Sequence, residues 1–184
     1  MKIRITAPES IHATIQLPSS KSISNRVLIM NALANSNHQP ENLSDCDDTQ
    51  VMIRALQAQP DETIDIMAAG TAMRFLTAYF SVTPGTHTIT GTERMKQRPI
   101  GILVDALREL GADIEYIENE GFPPLRITGK TLSGSHITLP GNVSSQYISA
   151  LLMIGPKLEN GLNITLTGTI TSLPYINMTV QLMA

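Results

Sequence analysis

The sequence predicts an α/β fold assembled from repeated strand–helix units, and three observations carry that prediction. Short segments rich in Ile, Leu and Thr alternate with longer segments of helical apolar spacing. Hydroxyls, glycines and cations gather where the helical patterns begin. The pair Leu17-Pro18 followed by Ser22 recurs at the same offset as Leu139-Pro140 followed by Ser144.

The expected strands are Lys2–Thr6, His12–Leu17, Thr63–Ala68, Thr86–Thr90, Asp113–Ile117, Leu125–Thr128, Ser135–Leu139 and Leu162–Leu166. Six helices are expected between them. Ser22–Ala34 sets Ile23, Val27, Met30 and Ala34 on one apolar face. Asp48–Gln59 follows, capped by Asp47 or Asp48, with Val51, Met52, Ala55 and Leu56 inward. Pro99–Leu110 shows the clearest stripe: Ile100, Leu103, Val104 and Leu107, with Pro99 suited to the first turn and Gly111 to the stop. Thr71–Phe80, Gln146–Ile154 and Pro174–Met183 complete the set. The order reads as a βαβαββ unit followed by a second round.

The bulk properties narrow the function. A chain of 184 residues with 42% hydrophobic content builds one sizeable domain or two small ones. A net charge of −3 argues against nucleic acid as the main partner. The N-terminus lacks a signal-peptide core and no apolar run reaches membrane-spanning length, so a cytoplasmic protein without a membrane partner is expected. The one cysteine, Cys46, lies among Asp45, Asp47 and Asp48, whose charges are expected to disfavour its thiolate.

The helix starts carry the chemistry. In Leu17-Pro18-Ser19-Ser20-Lys21-Ser22-Ile23-Ser24-Asn25-Arg26, a lysine, hydroxyls and an arginine stand where a helix exposes free N–H groups and its positive dipole end. The starts at Ser22, Thr71, Pro99 and Ser144-Ser145-Gln146 are expected on one face, with Lys21, Arg26, Arg74, Arg94, Lys96 and Arg98 nearby. Such a face suits a doubly anionic ligand. Arg74 and Arg94 read more naturally as structural ion-pair partners than as ligands. His12, His38, His87 and His136 show no metal-ligand spacing, and no Gly-x-x-x-x-Gly-Lys loop is present.

Taken in order, five segments resemble the 5-enolpyruvylshikimate-3-phosphate synthase family. They are Pro18-Ser19-Ser20-Lys21-Ser22-Ile23-Ser24-Asn25-Arg26, Ala69-Gly70-Thr71-Ala72-Met73-Arg74, Arg94-Met95-Lys96-Gln97-Arg98-Pro99-Ile100-Gly101, Val143-Ser144-Ser145-Gln146-Tyr147 and Ser172-Leu173-Pro174-Tyr175-Ile176. The resemblance implies an inside-out α/β barrel domain of βαβαββ units whose helix N-termini converge on the active-site face. It implies transfer of the enolpyruvyl group of phosphoenolpyruvate to shikimate 3-phosphate, without a metal or organic cofactor.

Roles carry over by position. Lys21 is implied to touch both substrates, with Ser22 and Arg26 holding shikimate 3-phosphate. Gly70 and Arg98 are implied to hold phosphoenolpyruvate. Ser144 and Ser145 would take the shikimate phosphate, Gln146 would reach the reacting centre, and Ser172 and Tyr175 would line the phosphate and ring side.

The chain departs from the family at Phe75, where proline is frequent, a change expected to alter inhibitor sensitivity. It also departs at Ala68 and Leu173. The resemblance covers most of a first domain of two, and residues 1–14 would pack against the second. The second domain's general-base aspartate and further cationic clamps have no counterpart here. Two alternatives stand beside this reading: a non-catalytic shikimate 3-phosphate-binding domain, and the related transferase acting on UDP-N-acetylglucosamine. The latter usually has a cysteine in the loop corresponding to Thr86–Lys96, which has none here.

Overall fold

The computed structural model describes residues 2–184. Its helices are α1 (Lys21–Leu33), α2 (Asp47–Ala55), α3 (Gly70–Val82), α4 (Glu93–Lys96), α5 (Gly101–Glu109), α6 (Ser145–Ile154) and α7 (Leu173–Met183), with a 3₁₀ turn at Gly155–Lys157. Its strands are β1 (Thr63–Asp65), β2 (Gly85–Thr90), β3 (Asp113–Tyr116), β4 (Leu125–Gly129), β5 (His136–Pro140) and β6 (Asn163–Thr167).

One βαβαββ unit is complete: β1, α3, β2, α5, β3, β4. It forms a four-stranded sheet in the order β1-β2-β4-β3. The β1/β2 pair is parallel, with Ile64 opposite Ile89, and the other pairs are antiparallel. The segment β5, α6, β6 repeats the parallel crossover of β1, α3, β2. A parallel pair needs a crossover, and an apolar helix supplies one that also covers a sheet face. The two crossover helices, α3 and α6, pack together at the centre. Eleven of the thirteen α3 residues are buried. The sheets lie outside: β3 and β5 alternate exposed and buried residues, turning Ile114, Ile137 and Leu139 inward.

Several expectations need correction. Lys2–Thr6 and His12–Leu17 are not strands, and Ile3, Ile5, Ile11, Ile15 and Leu17 are exposed. An alternating pattern becomes a strand only where another strand completes its ladder, and among the described residues none pairs with these segments. The Leu-Pro repeat consequently holds for the helices alone. Leu139-Pro140 ends β5 and Ser144 caps α6, whereas Ser20 caps α1, two residues earlier than the offset predicts.

Helix α1 buries Ser24, Asn25, Arg26, Leu28, Ile29 and Leu33, while Ile23 on the expected apolar face is exposed. Helix α2 begins at Asp47 after Cys46, and neither aspartate is the cap. Helix α5 begins at Gly101, not Pro99, but stops as expected before Gly111, whose φ of +102° suits glycine. The four-residue α4 was not foreseen. The Cys46 thiol also departs from expectation. Burial pushes it up, but hydrogen bonds with Ser44 and Thr49 outweigh both burial and the Asp48 charge and draw it down.

Candidate anion-binding site

Four helix N-termini meet at one cavity of about 270 Å³. Its lining comes from α1 (Lys21, Ser22, Arg26), α3 (Thr71), α6 with its cap (Ser144, Ser145, Gln146) and α7 (Tyr175). Each helix end offers unpaired N–H groups and a partial positive charge of roughly +0.5. Helix ends aimed at one place add their fields, and Lys21 and Arg26 add full charges. Lys21 Nζ lies 3.5 Å from Asp48, an exposed pair that leaves the ammonium open to a ligand. Ser144 caps α6 through Gln146 N–H at 3.3 Å, and the Gln146 side-chain amide donates to Thr71 Oγ1 at 3.1 Å. That bond ties α6 to α3 across the cavity floor.

Arg26 serves the protein first. Its Nε donates to Thr179 Oγ1 at 2.7 Å, Nη1 to the Ser22 carbonyl at 2.8 Å, and Nη2 to Ser149 Oγ at 2.9 Å and the Tyr175 carbonyl at 3.5 Å. Its guanidinium also lies 5.4 Å from the centre of the Phe75 ring. Of five N–H groups, one remains for a ligand. Burial lowers the guanidinium's proton affinity from its ordinary value, and Tyr175 partly offsets this. Arg26 thus joins α1 to the start of α7 and holds Tyr175 at the cavity rim.

A second cavity of about 440 Å³ opens beside the first, lined by Ala68, Arg94, Met95 and Arg98. Gly70, which precedes Thr71 of the first cavity, lies against Arg98 of the second. The Arg98 guanidinium rests against Gly70, so closely that a Cβ on Gly70 would lie 2.8 Å from Arg98 Cζ. No carboxylate pairs with Arg94 or Arg98 among the described residues. Lys96 is different: it is bound to Glu118 at 3.0 Å and Glu93 at 3.3 Å, which raise its proton affinity.

Arg74 is a structural residue, but neither it nor Arg94 makes the ion pair expected of it among the described residues: Arg94 lines the second cavity, and Arg74 is a buried brace. It donates to the carbonyls of Gly70 at 3.0 Å and Pro99 at 3.1 Å. Burial lowers its proton affinity; the neighbouring Tyr147 works the other way.

The structure therefore brings together Lys21, Ser22, Arg26, Ser144, Ser145, Gln146 and Tyr175, and places Gly70 and Arg98 next to them. Ser172 does not line either cavity. It precedes α7 in a left-handed conformation, with φ of +55°. Convergence also differs from expectation in one helix. The start of α7 joins the cavity, while α5 contributes only the preceding Arg98. Sequence reading did not single out Ser149 or Thr179, because a hydroxyl within an apolar helix carries no pattern of its own. Thr71 stood out only as a helix start.

Comparison with known proteins identifies the family. The sequence model of the EPSP synthase (3-phosphoshikimate 1-carboxyvinyltransferase) family matches residues 5–60 and 56–184. The 3-phosphoshikimate 1-carboxyvinyltransferase of Bacteroides fragilis is 72% identical over 183 residues, covering 100% of this chain and 44% of that protein. The enzyme of the same name from Shewanella halifaxensis is 39% identical over 208 residues, covering 100% of this chain and 49% of that protein. This chain thus spans about half the length of these relatives. A solved structure of EPSP synthase from Acinetobacter baumannii superposes with a TM-score of 0.73 at 21% identity, covering 89% of this chain and 42% of that one. At that identity the likeness speaks for the fold. The chain belongs to the EPSP synthase family.

Proposed function

We propose that this chain carries the shikimate 3-phosphate side, and part of the phosphoenolpyruvate side, of a 5-enolpyruvylshikimate-3-phosphate synthase. The observation that carries the reading is the meeting of the α1, α3, α6 and α7 N-termini at one cationic, hydroxyl-lined cavity beside unpaired Arg98. Ser144 and Ser145 at the α6 start take the shikimate phosphate, with Tyr175 on the phosphate and ring side. Ser22 and the free N–H of Arg26 hold the remainder of that substrate. Gly70 N–H and the fork of Arg98 hold phosphoenolpyruvate. Lys21 stands at the junction of the two cavities' ligands, and Gln146 points toward the reacting centre.

In the reaction, the 5-hydroxyl oxygen of shikimate 3-phosphate bonds to C2 of phosphoenolpyruvate. The hydroxyl proton departs and the methylene carbon gains one. The C2–O bond to phosphate then breaks, the methyl carbon returns its proton, and the double bond re-forms. The residues of this chain gather two anions, offset their mutual repulsion and fix their approach.

A two-domain protein completes this site, with residues 1–14 packing against the second domain; the exposure of Ile3, Ile5 and Ile11 supports that placement. A second reading is a shikimate 3-phosphate-binding domain without catalysis, resting on the same cationic, hydroxyl-lined cavity. Amide NMR titration with shikimate 3-phosphate, with UDP-N-acetylglucosamine as control, tests both. Shifts at Lys21, Ser22, Arg26 and Ser144–Gln146 with the first ligand alone are expected, without phosphate release in the presence of phosphoenolpyruvate. A response to UDP-N-acetylglucosamine alone would overturn the substrate assignment in favour of the related transferase. Phosphate release by the chain would overturn the binding-only reading.

A further inference from the structure

The exposed Arg98 stands on a backbone that is anchored at every residue. Arg98 N–H donates to the Met95 carbonyl at 2.9 Å, and Ile100 N–H donates to the Gly121 carbonyl at 2.9 Å. Between them, the Pro99 carbonyl accepts two hydrogen bonds. Tyr147 Oη donates at 2.9 Å and Arg74 Nη2 at 3.1 Å. Arg74 simultaneously donates Nη1 to the Gly70 carbonyl at 3.0 Å. One buried guanidinium therefore spans the two backbone pieces that meet where Arg98 rests on Gly70. Tyr147 is buried, and its ring centre lies 5.8 Å from Arg74 Cζ, so it supports that guanidinium as well as sharing its acceptor.

Tyr147 also links the two cavities. The residues before it, Ser144, Ser145 and Gln146, line the first. One step further round the helix, Tyr147 reaches the backbone that carries Arg98 in the second. A phenylalanine would fill the same space without holding Pro99, so the hydroxyl is the part that positions.

We propose that Tyr147, together with Arg74, is a positioning residue for Arg98. Its hydroxyl sets where the Arg98 guanidinium stands over Gly70, and through it the affinity of the second cavity for an anionic ligand. The identity of that ligand as phosphoenolpyruvate rests on the proposed function; the clamp itself does not.

The test is Tyr147→Phe, which keeps the ring, its packing and its face toward Arg74 and removes one donor. Two measurements on the chain are compared with the unaltered protein. The first is the Arg98 backbone amide and side-chain Nε–H signal in a ¹⁵N-labelled sample without ligand. The second is the pair of affinities for phosphoenolpyruvate and shikimate 3-phosphate, from NMR titration. The Arg98 signals shift or broaden, while most amides remain in place. Phosphoenolpyruvate binding weakens about three- to tenfold, the scale of one neutral hydrogen bond acting through its neighbour, and shikimate 3-phosphate binding stays within about twofold.

Unmoved Arg98 signals would overturn the proposal, as would an equal loss of both affinities, which marks a general structural role. Should the unaltered chain take up neither ligand, the substrate reading fails by itself and the Arg98 signals still decide the clamp.

Discussion

Replacing Gly70 by alanine places a methyl group where the Arg98 guanidinium now lies, 2.8 Å from Cζ. Nη1 would lie closer still, and ordinary contacts begin near about 3.5 Å, so the guanidinium must withdraw by about 1 Å or swing away. Arg98 is exposed, and its far end is free to move, so the fold loses little. Gly70 is the first residue of α3 and has no positive φ, so alanine suits its backbone. The melting temperature should therefore change by no more than the equivalent of about 1 kcal/mol. The anion loses a charge-assisted hydrogen bond, or has it lengthened. Such bonds contribute about 1.5–3 kcal/mol, so phosphoenolpyruvate binding should weaken by roughly ten- to a hundredfold. Shikimate 3-phosphate, proposed for the neighbouring cavity, should be held within about twofold of its original affinity. Calorimetric titration of each ligand, alongside a thermal melt, separates these effects. An unchanged phosphoenolpyruvate affinity would refute the reasoning. So would a loss shared equally by both ligands, because the clash is local to Arg98.

Gly129→Ala presents the opposite case: its Cβ would meet the Thr83 and Phe80 carbonyls, and backbone cannot swing aside. A loss of more than about 2 kcal/mol is expected in denaturant unfolding, and a melt like the unaltered chain's would contradict the placement of β4 against α3. Arg26→Lys keeps the charge but abandons the fork that serves Thr179, Ser149, Ser22 and Tyr175. It should cost about 2–4 kcal/mol of stability, and wild-type stability with weakened ligand binding would mean that Arg26 acts chiefly on the substrate. His87 is buried and stacked on Phe80 at 4.1 Å, with Nδ1 unpaired. Burial lowers its proton affinity, and Asp61 and Glu62 only partly restore it. Because the folded state binds that proton less readily, His87 contributes stability above its unfolded pKa of about 6.5 that is lost as pH falls below that value. Between pH 7 and 5 the melting temperature should fall less steeply in His87→Phe than in the unaltered chain; parallel slopes would exclude His87 as the source.

The helices were legible where the chain's own apolar residues bury them. Leu103, Val104 and Leu107 face the core as their spacing requires, and Gly111 ends the helix because its φ of +102° favours glycine. Helix α1 was legible as a helix but not by its face. Its inner side bonds to neighbours through polar groups: Ser44 N–H donates to Ser24 Oγ at 2.9 Å and Thr49 Oγ1 to Asn25 Oδ1 at 2.8 Å. Hydrophobic periodicity cannot see a buried surface made of polar side chains.

The sequence by itself determined, to within about two residues, where α1, α3, α5 and α6 begin and that hydroxyls, glycine and cations gather there, because caps, glycines and cations act over three or four residues. Together with the family resemblance it marked Lys21, Ser22, Gly70, Arg98, Ser144, Ser145 and Gln146 among the residues for anions. Only the tertiary structure decided how they divide into two adjoining cavities. It also decided that Arg26 spends most of its donors on α6 and α7, the latter 153 residues away in sequence at Thr179. The same holds for Tyr147 and Arg74, which meet Pro99 only after α3, α5 and α6 have packed. The segments at residues 2–6 and 12–17 make the same point from the other side. A strand's pattern is local, but its hydrogen bonds belong to a partner, and the sequence of one segment does not supply the other.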